Sequence, residues 1–382
     1  MSTKFPIERF GEASTPFYYY DMELLDQTLA KIKQSTSRYG FNVHYAMKAN
    51  ANPAILRRIC EAGLGADTVS GGEIAAALKA GFKAQDIVFA GVGKTDAEIL
   101  LGLREGIGCF NVESVQELEI IEQLAIEEGV TARVALRINP NIDAHTHHYI
   151  TTGLEENKFG LDMSVVPDMI RRCMQSQALE FVGLHFHIGS QITTLEPYRL
   201  LCERINAMQD DLERQGVTSI KSINVGGGLG IDYDDPDKHP IADFEPYFAL
   251  FHDNLKLRDG QQLHFELGRA VVAQCGSLIT RVIYVKEGIG KRFAIVDAGM
   301  TDLIRPALYQ AHHKIENLTG NGRELRQYDV VGPICESSDV FGHDEMLPEV
   351  RRGDLLALRS AGAYGEVMAS RYNLRNLPGF MA

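Results

Sequence analysis

Lys48 stands in the run YAMKAN, His187 and Ser190 in HFHIGS, Gly226, Gly227 and Gly228 in NVGGGLG, and Glu266 two residues ahead of Gly268 and Arg269. Each has an ordinary structural use. A lone lysine is a solvated cation, a glycine triplet a tight turn, a lone histidine a hydrogen-bonded core residue, and a lone glutamate an ion-pair partner. Together they fit one chemistry. A glycine turn exposes backbone N–H groups that can cradle a phosphate, and Ser190 adds a hydroxyl. A lysine amine can form a Schiff base with an aldehyde. An acid can keep a pyridine nitrogen protonated, which makes the ring an electron sink, and a flat imidazole can stack on that ring. These are the requirements of pyridoxal 5'-phosphate. His185 and His187, as an H-x-H pair on one strand, could instead take a metal with an Asp or Glu as third ligand. That reading leaves Lys48 and the glycines unexplained, so no metal is expected.

The elements that would position these residues follow one pattern. Candidate strands at 42–47, 65–69, 86–90, 107–112, 133–138, 181–187, 221–225 and 263–267 alternate with helical stretches, several of which end in glycine. Strands alternating with helices imply parallel pairing. Eight such units suggest a closed (β/α)8 barrel, with an open doubly wound sheet as the alternative. In a barrel the active site lies at the carboxyl ends of the strands. There the chain places Lys48, then Asp67 with the turn Ser70-Gly71-Gly72-Glu73, then Arg137, then His185 and His187 with Gly189-Ser190, then Gly226–Gly228, and last Glu266 with Gly268 and Arg269. After residue 270 the pattern changes to strands with Gly or Asp punctuation, as in KRFAIVDAG, QYDVVGP and DLLALRSAG, which predicts a mainly antiparallel β domain. STPFYYYD precedes the first barrel unit and could join that sheet. The expected division is a barrel over 24–268 and a β domain over 1–23 plus 269–382.

Composition narrows the function. Hydrophobic residues make up 45% and charged residues 23% of the 382, an ordinary globular mixture. With a net charge of -13 and no basic block, DNA and an anionic membrane would be repelled at long range. No apolar run reaches the ~20 residues that span a bilayer, and MSTKFPIERFGE lacks the apolar core of a secretory signal. The six cysteines form no C-x-x-C pair and read as free thiols of a cytoplasmic protein. Cys335 differs from the rest, because the polar, Gly- and Ser-rich run GPICESSD is a poor place to bury a thiol.

YAMKAN, the SGGE turn, HFHIGSQ, NVGGGLG, ELGR, CESSD and AYGEVMASRYN occur in order over nearly the whole chain. They resemble the fold-type III, ornithine-decarboxylase-like pyridoxal-phosphate enzymes. Within that group RINPNIDAHTHHYITTG followed by KFG looks like the diaminopimelate decarboxylase branch. The resemblance implies that Lys48 carries the cofactor, His187 stacks on its ring, Ser190 with Gly226, Gly227 and Gly228 holds its phosphate, and Glu266 partners its ring nitrogen. Asp67, Arg137 and Gly268 would lie near it without a fixed role. Arg269, Arg305 and Tyr309 match substrate positions, and Tyr364 a residue near both phosphate and substrate. Cys335 matches a proton-donating thiol and Glu336 a contact to the substrate amine, both reaching the neighbour's active site in a homodimer. Leu267 departs from the pattern, which usually has proline there. A guanidinium fork matches a carboxylate, so Arg269 and Arg305 favour a substrate with a carboxylate at its far end. The expected reaction is conversion of meso-diaminopimelate to L-lysine and CO2. Ornithine, arginine or carboxynorspermidine decarboxylation is the alternative, followed by an inactive regulatory homologue. A racemase is opposed by CESSD.

Overall fold

The computed structural model describes residues 5–142 and 158–382. Most of RINPNIDAHTHHYITTG, the run that distinguishes the branch, therefore lies outside the described residues. The strands are, in chain order, β1 (Phe17–Tyr20), β2 (Asn42–Ala46), β3 (Gly65–Thr68), β4 (Ile87–Phe89), β5 (Cys109–Val112), β6 (Ala132–Arg137), β7 (Leu179–His185), β8 (Ser222–Asn224), β9 (Gln262–Leu267), β10 (Gly276–Glu287), β11 (Arg292–Val296), β12 (Ile315–Asn317), β13 (Leu325–Val331), β14 (Val340–Pro348), β15 (Leu355–Leu358) and β16 (Gly379–Met381). By compactness the chain forms two units. One comprises Leu29–Gly230 and Asp243–Gly268. The other takes the residues up to Thr28, the excursion Ile231–Ala242, and Arg269–Ala382.

In the first unit β2 to β9 close into a barrel in which β9 pairs in parallel with β2. The expected barrel is present and the open sheet is not. Helix boundaries follow local chemistry. Asn52, Ser70, Thr95 and Ser114 each accept a backbone N–H at a helix start, and left-handed Gly81, Gly106 and Gly129 end three of the helices. Most residues of the barrel's parallel strands are apolar and buried, as covering on both faces favours. Outside them the helix Phe244–Asn254 lays Tyr247, Phe248 and Phe251 around Phe265 of β9, with ring centroids 4.9–5.6 Å apart at steep angles. Each such edge-on pair adds about 1 kcal/mol to the area it buries, and together they clamp the strand that carries Glu266. One expectation needs correction. The strand containing His185 ends there, so His187 lies in the following loop and the two rings do not share a strand face.

In the second unit the sheet order is β12-β15-β10-β11-β13-β14, and β1 joins it by pairing antiparallel with β10. The sheet is mainly antiparallel, with two parallel pairs, β11 with β13 and β1 with β16. Its core gathers Phe10, Phe17, Ile279, Leu318, Leu355 and Ala357. Between β9 and β10 the chain makes one helical turn, Arg269–Val272. Among the described residues no helix is long and apolar enough to cross a membrane.

Candidate active site

Lys48 sits in a helical turn, Met47–Ala49, directly after β2. The turn is fixed from below. The buried Tyr45 hydroxyl donates to the Asn50 carbonyl at 2.9 Å, and Asn50 accepts the Asn52 N–H at 2.8 Å before Asn52 caps the next helix. Gly268 packs against it, since a Cβ there would stand 3.0 Å from the Ala49 methyl. Leu267, where the family pattern has proline, is simply the last residue of β9, paired opposite Tyr45.

Glu266 on β9 is buried and multiply held. Asn224 Nδ2 donates to it at 2.8 Å, His185 Nε2 lies 3.0 Å away, and Asn111 Nδ2 makes a longer contact at 3.4 Å. Asn224 also accepts the Gly226 N–H at 2.9 Å, so one side chain ties the glycine turn to the acid. Gly226 and Gly228 have φ of +69° and +104°, and a Cβ on Gly227 would fall 1.8 Å from the Glu266 carbonyl oxygen. Only glycine can occupy this turn. The Gly189–Ser190 segment runs beside it, with Ile192 N–H donating to the Gly228 carbonyl at 2.9 Å. His187 accepts the Gly227 N–H through Nδ1 at 3.4 Å.

The charges at this rim are set against one another. Burial would raise the Glu266 carboxyl, but the His185 contact and the Lys48 ammonium outweigh it and hold Glu266 well below the usual carboxylate range. Asp67, 2% exposed, goes the other way. Burial and the Glu266 charge push its carboxyl well up, against Lys48. The two carboxyls are thus pushed in opposite directions. Burial, Lys48 and Arg137 push the His187 imidazole far down, so it is neutral. Asp67 Oδ1 and His185 Nδ1 are buried with no hydrogen-bond partner among the described residues. An orphaned buried polar atom costs about 1–3 kcal/mol, a cost relieved when a ligand supplies the partner.

The SGGE turn has a structural explanation. Ser70 accepts the Glu73 N–H at 3.2 Å, and the Glu73 carboxylate reaches back to the Val69 N–H at 2.8 Å, starting the helix Gly71–Ala80. In the second unit Arg269, Arg305 and Tyr364 gather around Tyr233. Arg269 Nη1 donates to the Tyr233 hydroxyl at 2.6 Å, the Arg269 guanidinium lies 4.9 Å from the Tyr364 ring, and that of Arg305 lies 4.9 Å from the Tyr233 ring. Tyr309 ends the short helix that Arg305 begins. Cys335 is exposed in the β13–β14 loop. Its N–H donates to Asn373 at 3.3 Å, and the neighbouring Glu336 accepts from the Tyr372 hydroxyl at 2.5 Å. Burial pushes the thiols of Cys109, Cys173 and Cys202 up to about 12, which makes them inert core residues.

Residues 25–273 match the family model of the pyridoxal-dependent decarboxylases' pyridoxal binding domain. A diaminopimelate decarboxylase of Bacteroides thetaiotaomicron is 59% identical over 379 residues, 99% of this chain and 98% of that one. The chain belongs to the diaminopimelate decarboxylase family. Among solved structures, the Helicobacter pylori diaminopimelate decarboxylase complexed with L-lysine superposes with a TM-score of 0.90 at 43% identity, covering 96% of this chain and 91% of that one. The M. jannaschii diaminopimelate decarboxylase in complex with L-lysine gives 0.89 at 37% identity, covering 98% and 88%.

The family's cofactor, pyridoxal phosphate, suits the residues at the barrel rim. The 226–228 turn is closed to any Cβ yet lined with amides, a lysine amine stands among carboxyls, one acid is held ionised and another keeps a polar atom unmet. Sequence reasoning missed the supports. Asn111 is the one polar residue of the buried strand Cys109–Val112, and that mismatch is the signal that could have singled it out, whereas Asn224, in a strand that also holds Ser222, carries no such signal. Glu113 was missed as well. It is buried, pairs with Arg137 at 2.7 Å, and accepts the N–H groups of Gly91 at 2.8 Å and Gly160 at 3.2 Å. Replacing Glu113 by Gln leaves the Arg137 charge buried and uncompensated, so Glu113→Gln should lower the unfolding free energy by about 3 kcal/mol. Denaturant titration of the purified variant checks this, and an unchanged midpoint would refute the pairing's importance.

Proposed function

We propose that this chain converts meso-diaminopimelate to L-lysine and CO2. The observation that carries the reading is Glu266, held ionised by His185 and Asn224 in the same shell as Lys48 and the glycine turn. When bound, pyridoxal phosphate supplies the aldehyde that takes the substrate amine and the ring that accepts the electrons left by CO2. The protein's residues do the rest. Lys48 would hold the cofactor through its side-chain amine. The amides of Gly226, Gly227 and Gly228 and the Ser190 hydroxyl take the phosphate. Glu266 would hold a proton at the ring nitrogen. A neutral His187 would offer its imidazole to the ring without adding a positive charge. Asp67, whose carboxyl is pushed up by burial and the Glu266 charge, and Arg137, Gly268 and Tyr364 would complete the cofactor's surroundings. Arg269, Arg305 and Tyr309 hold the substrate's far carboxylate, and Glu336 its amine.

The test is direct. The protein loaded with pyridoxal phosphate and given meso-diaminopimelate should release lysine and CO2 in equal amounts. Ornithine and arginine, which have no carboxylate at the far end, should give far lower kcat/KM. Turnover of ornithine equal to that of meso-diaminopimelate would contradict the substrate assignment.

The enzyme acts in the cytoplasm as a homodimer in which Cys335 of the partner subunit returns the proton to the substrate carbon and Glu336 of the partner subunit meets the amine. The support is chemical. Cys335 is the one exposed thiol among the described cysteines, and a thiol that gives up a proton must be accessible. Mixing inactive Lys48→Ala and Cys335→Ala chains under conditions of subunit exchange should restore about half the wild-type activity per mixed dimer, since one of its two sites is then intact. No recovery despite exchange would refute sharing between subunits.

A further inference from the structure

The excursion Ile231–Ala242 interrupts the barrel sequence and belongs to the compact unit of the β domain. It is tightened from within by Asp232 and anchored to the β domain through Asp237. Asp232 accepts the N–H groups of Asp234 and Asp235, both at 2.9 Å, which tightens the turn after Tyr233. Asp237 is bound by Arg359 Nη2 at 3.1 Å and by Lys314 at 3.4 Å, while Arg359, itself buried, also binds Glu316 at 3.0 Å. Nothing in the mechanism above needs this segment. What it delivers is Tyr233, whose hydroxyl accepts from Arg269 and whose ring faces the Arg305 guanidinium.

Arg305 has a second partner. Its Nη1 lies 2.9 Å from Nε2 of His313, which is fully buried, and His313 Nδ1 lies 2.8 Å from the Arg359 carbonyl. Arginine only donates, so Nε2 must accept and Nδ1 must carry the proton that goes to the carbonyl. His313 is therefore neutral and fixed in one tautomer. Its ring meets the Tyr233 ring edge-on at 5.2 Å. Burial and Arg305 pull its imidazole down to about 3, which agrees with the geometry. The two groups shown against Arg305, a neutral imidazole and the face of a phenol, orient the cation without cancelling its charge. An Asp or Glu in either place would have neutralised it.

We propose that Tyr233 and His313 are positioning residues that aim Arg269 and Arg305 as a paired receptor for the carboxylate at the far end of the substrate, and so set the preference for a diacid. This rests on the reading that those arginines take that carboxylate. Tyr233 links the two guanidiniums, holding one through its oxygen and the other through its ring. His313 fixes the second from the opposite end of the chain of contacts, with its own orientation set by the Arg359 backbone. Substrates lacking that carboxylate gain nothing from this order, so the effect of loosening it is selective.

The experiment measures kcat and KM for meso-diaminopimelate, and the inhibition constant of L-lysine, in holoenzyme carrying Tyr233→Phe, His313→Leu, His313→Gln or Arg305→Gln. Tyr233→Phe keeps the ring and removes the acceptor. His313→Leu removes the acceptor, and His313→Gln restores one at the position of Nε2. Tyr233→Phe and His313→Leu should each raise KM about tenfold, the scale of a hydrogen bond to a charged group. L-lysine keeps the far carboxylate after CO2 leaves the reacting end, so its inhibition constant should rise in step with KM, while kcat and the cofactor absorbance move less than about twofold and His313→Gln recovers most of the loss. The proposal is overturned if KM stays at the wild-type value in Tyr233→Phe and His313→Leu while Arg305→Gln raises it. It is also overturned if KM rises while the L-lysine constant stays at the wild-type value, because L-lysine carries the same far carboxylate and the defect would then not follow it. An unchanged KM in Arg305→Gln would instead remove the carboxylate reading itself, and the proposal with it.

Discussion

Lys48→Ala should leave a folded protein that binds pyridoxal phosphate weakly, shows no visible band of lysine-linked cofactor, and has lost activity on the order of 10³-fold, the scale on which removal of a positioned acid–base group acts. The fold should survive because Lys48 is a half-buried residue on a turn held by its neighbours. Tyr45, Asn50 and Asn52 fix that turn through hydrogen bonds of 2.8–3.0 Å that do not involve the lysine side chain. Removing the ammonium also changes its surroundings in a defined direction. Lys48 lowers the carboxyls of Asp67, Glu73 and Glu266 and disfavours protonation of His187. In Lys48→Ala all three acids should be easier to protonate. Exogenous amines of small size should restore part of the activity if the missing group is an amine and nothing more. Retention of the visible band in the variant would show that another lysine carries the cofactor.

Glu266→Gln should lower kcat about 10²-fold while weakening cofactor binding less than about tenfold. The amide occupies the same volume and can still accept from Asn224 Nδ2, so the barrel interior should pack as before. It cannot hold a proton on a ring nitrogen by charge. It also turns an N–H toward His185 Nε2, which must then change tautomer or lose the contact. A second consequence follows from the coupling of the two acids. The Glu266 charge is one cause of the raised Asp67 carboxyl, so in the variant Asp67 should ionise at lower pH. The pH profile of kcat should therefore change on its acidic side as well as fall in height. Glu266→Asp, which keeps the charge on a shorter arm, should lie between the two. Equal kcat in Glu266→Gln and the wild type would sink the role assigned to this acid.

The chemistry of the barrel rim was legible in the sequence because its residues sit where the two-residue strand rhythm stops. Lys48, Glu266 and the glycine run each follow or end an apolar strand, and a closed barrel brings such ends together whatever the intervening loops. Loop geometry was less legible. His187 was expected on the strand with His185, since an apolar alternation continues through Phe186, but the chain leaves the sheet after His185 to run beside the Gly226–Gly228 turn. The least legible features are partnerships. Glu113 with Arg137, and Asn224 bridging Gly226 to Glu266, join residues 24 and 42 positions apart whose local sequences do not announce each other. The excursion 231–242 is of the same kind. YDDPDKH reads as an acidic surface loop, and only Arg359 and Lys314, far along the chain, reveal that Asp237 anchors it.

Lys48 is the residue proposed to carry pyridoxal phosphate in the decarboxylation that makes lysine. The protein loaded with the cofactor and treated with borohydride should lose its visible band and its activity on meso-diaminopimelate together. After digestion, one peptide should carry the phosphopyridoxyl mass, and fragmentation should place it on Lys48. A label on any other lysine, or loss of activity with no label on the peptide containing YAMKAN, would contradict it.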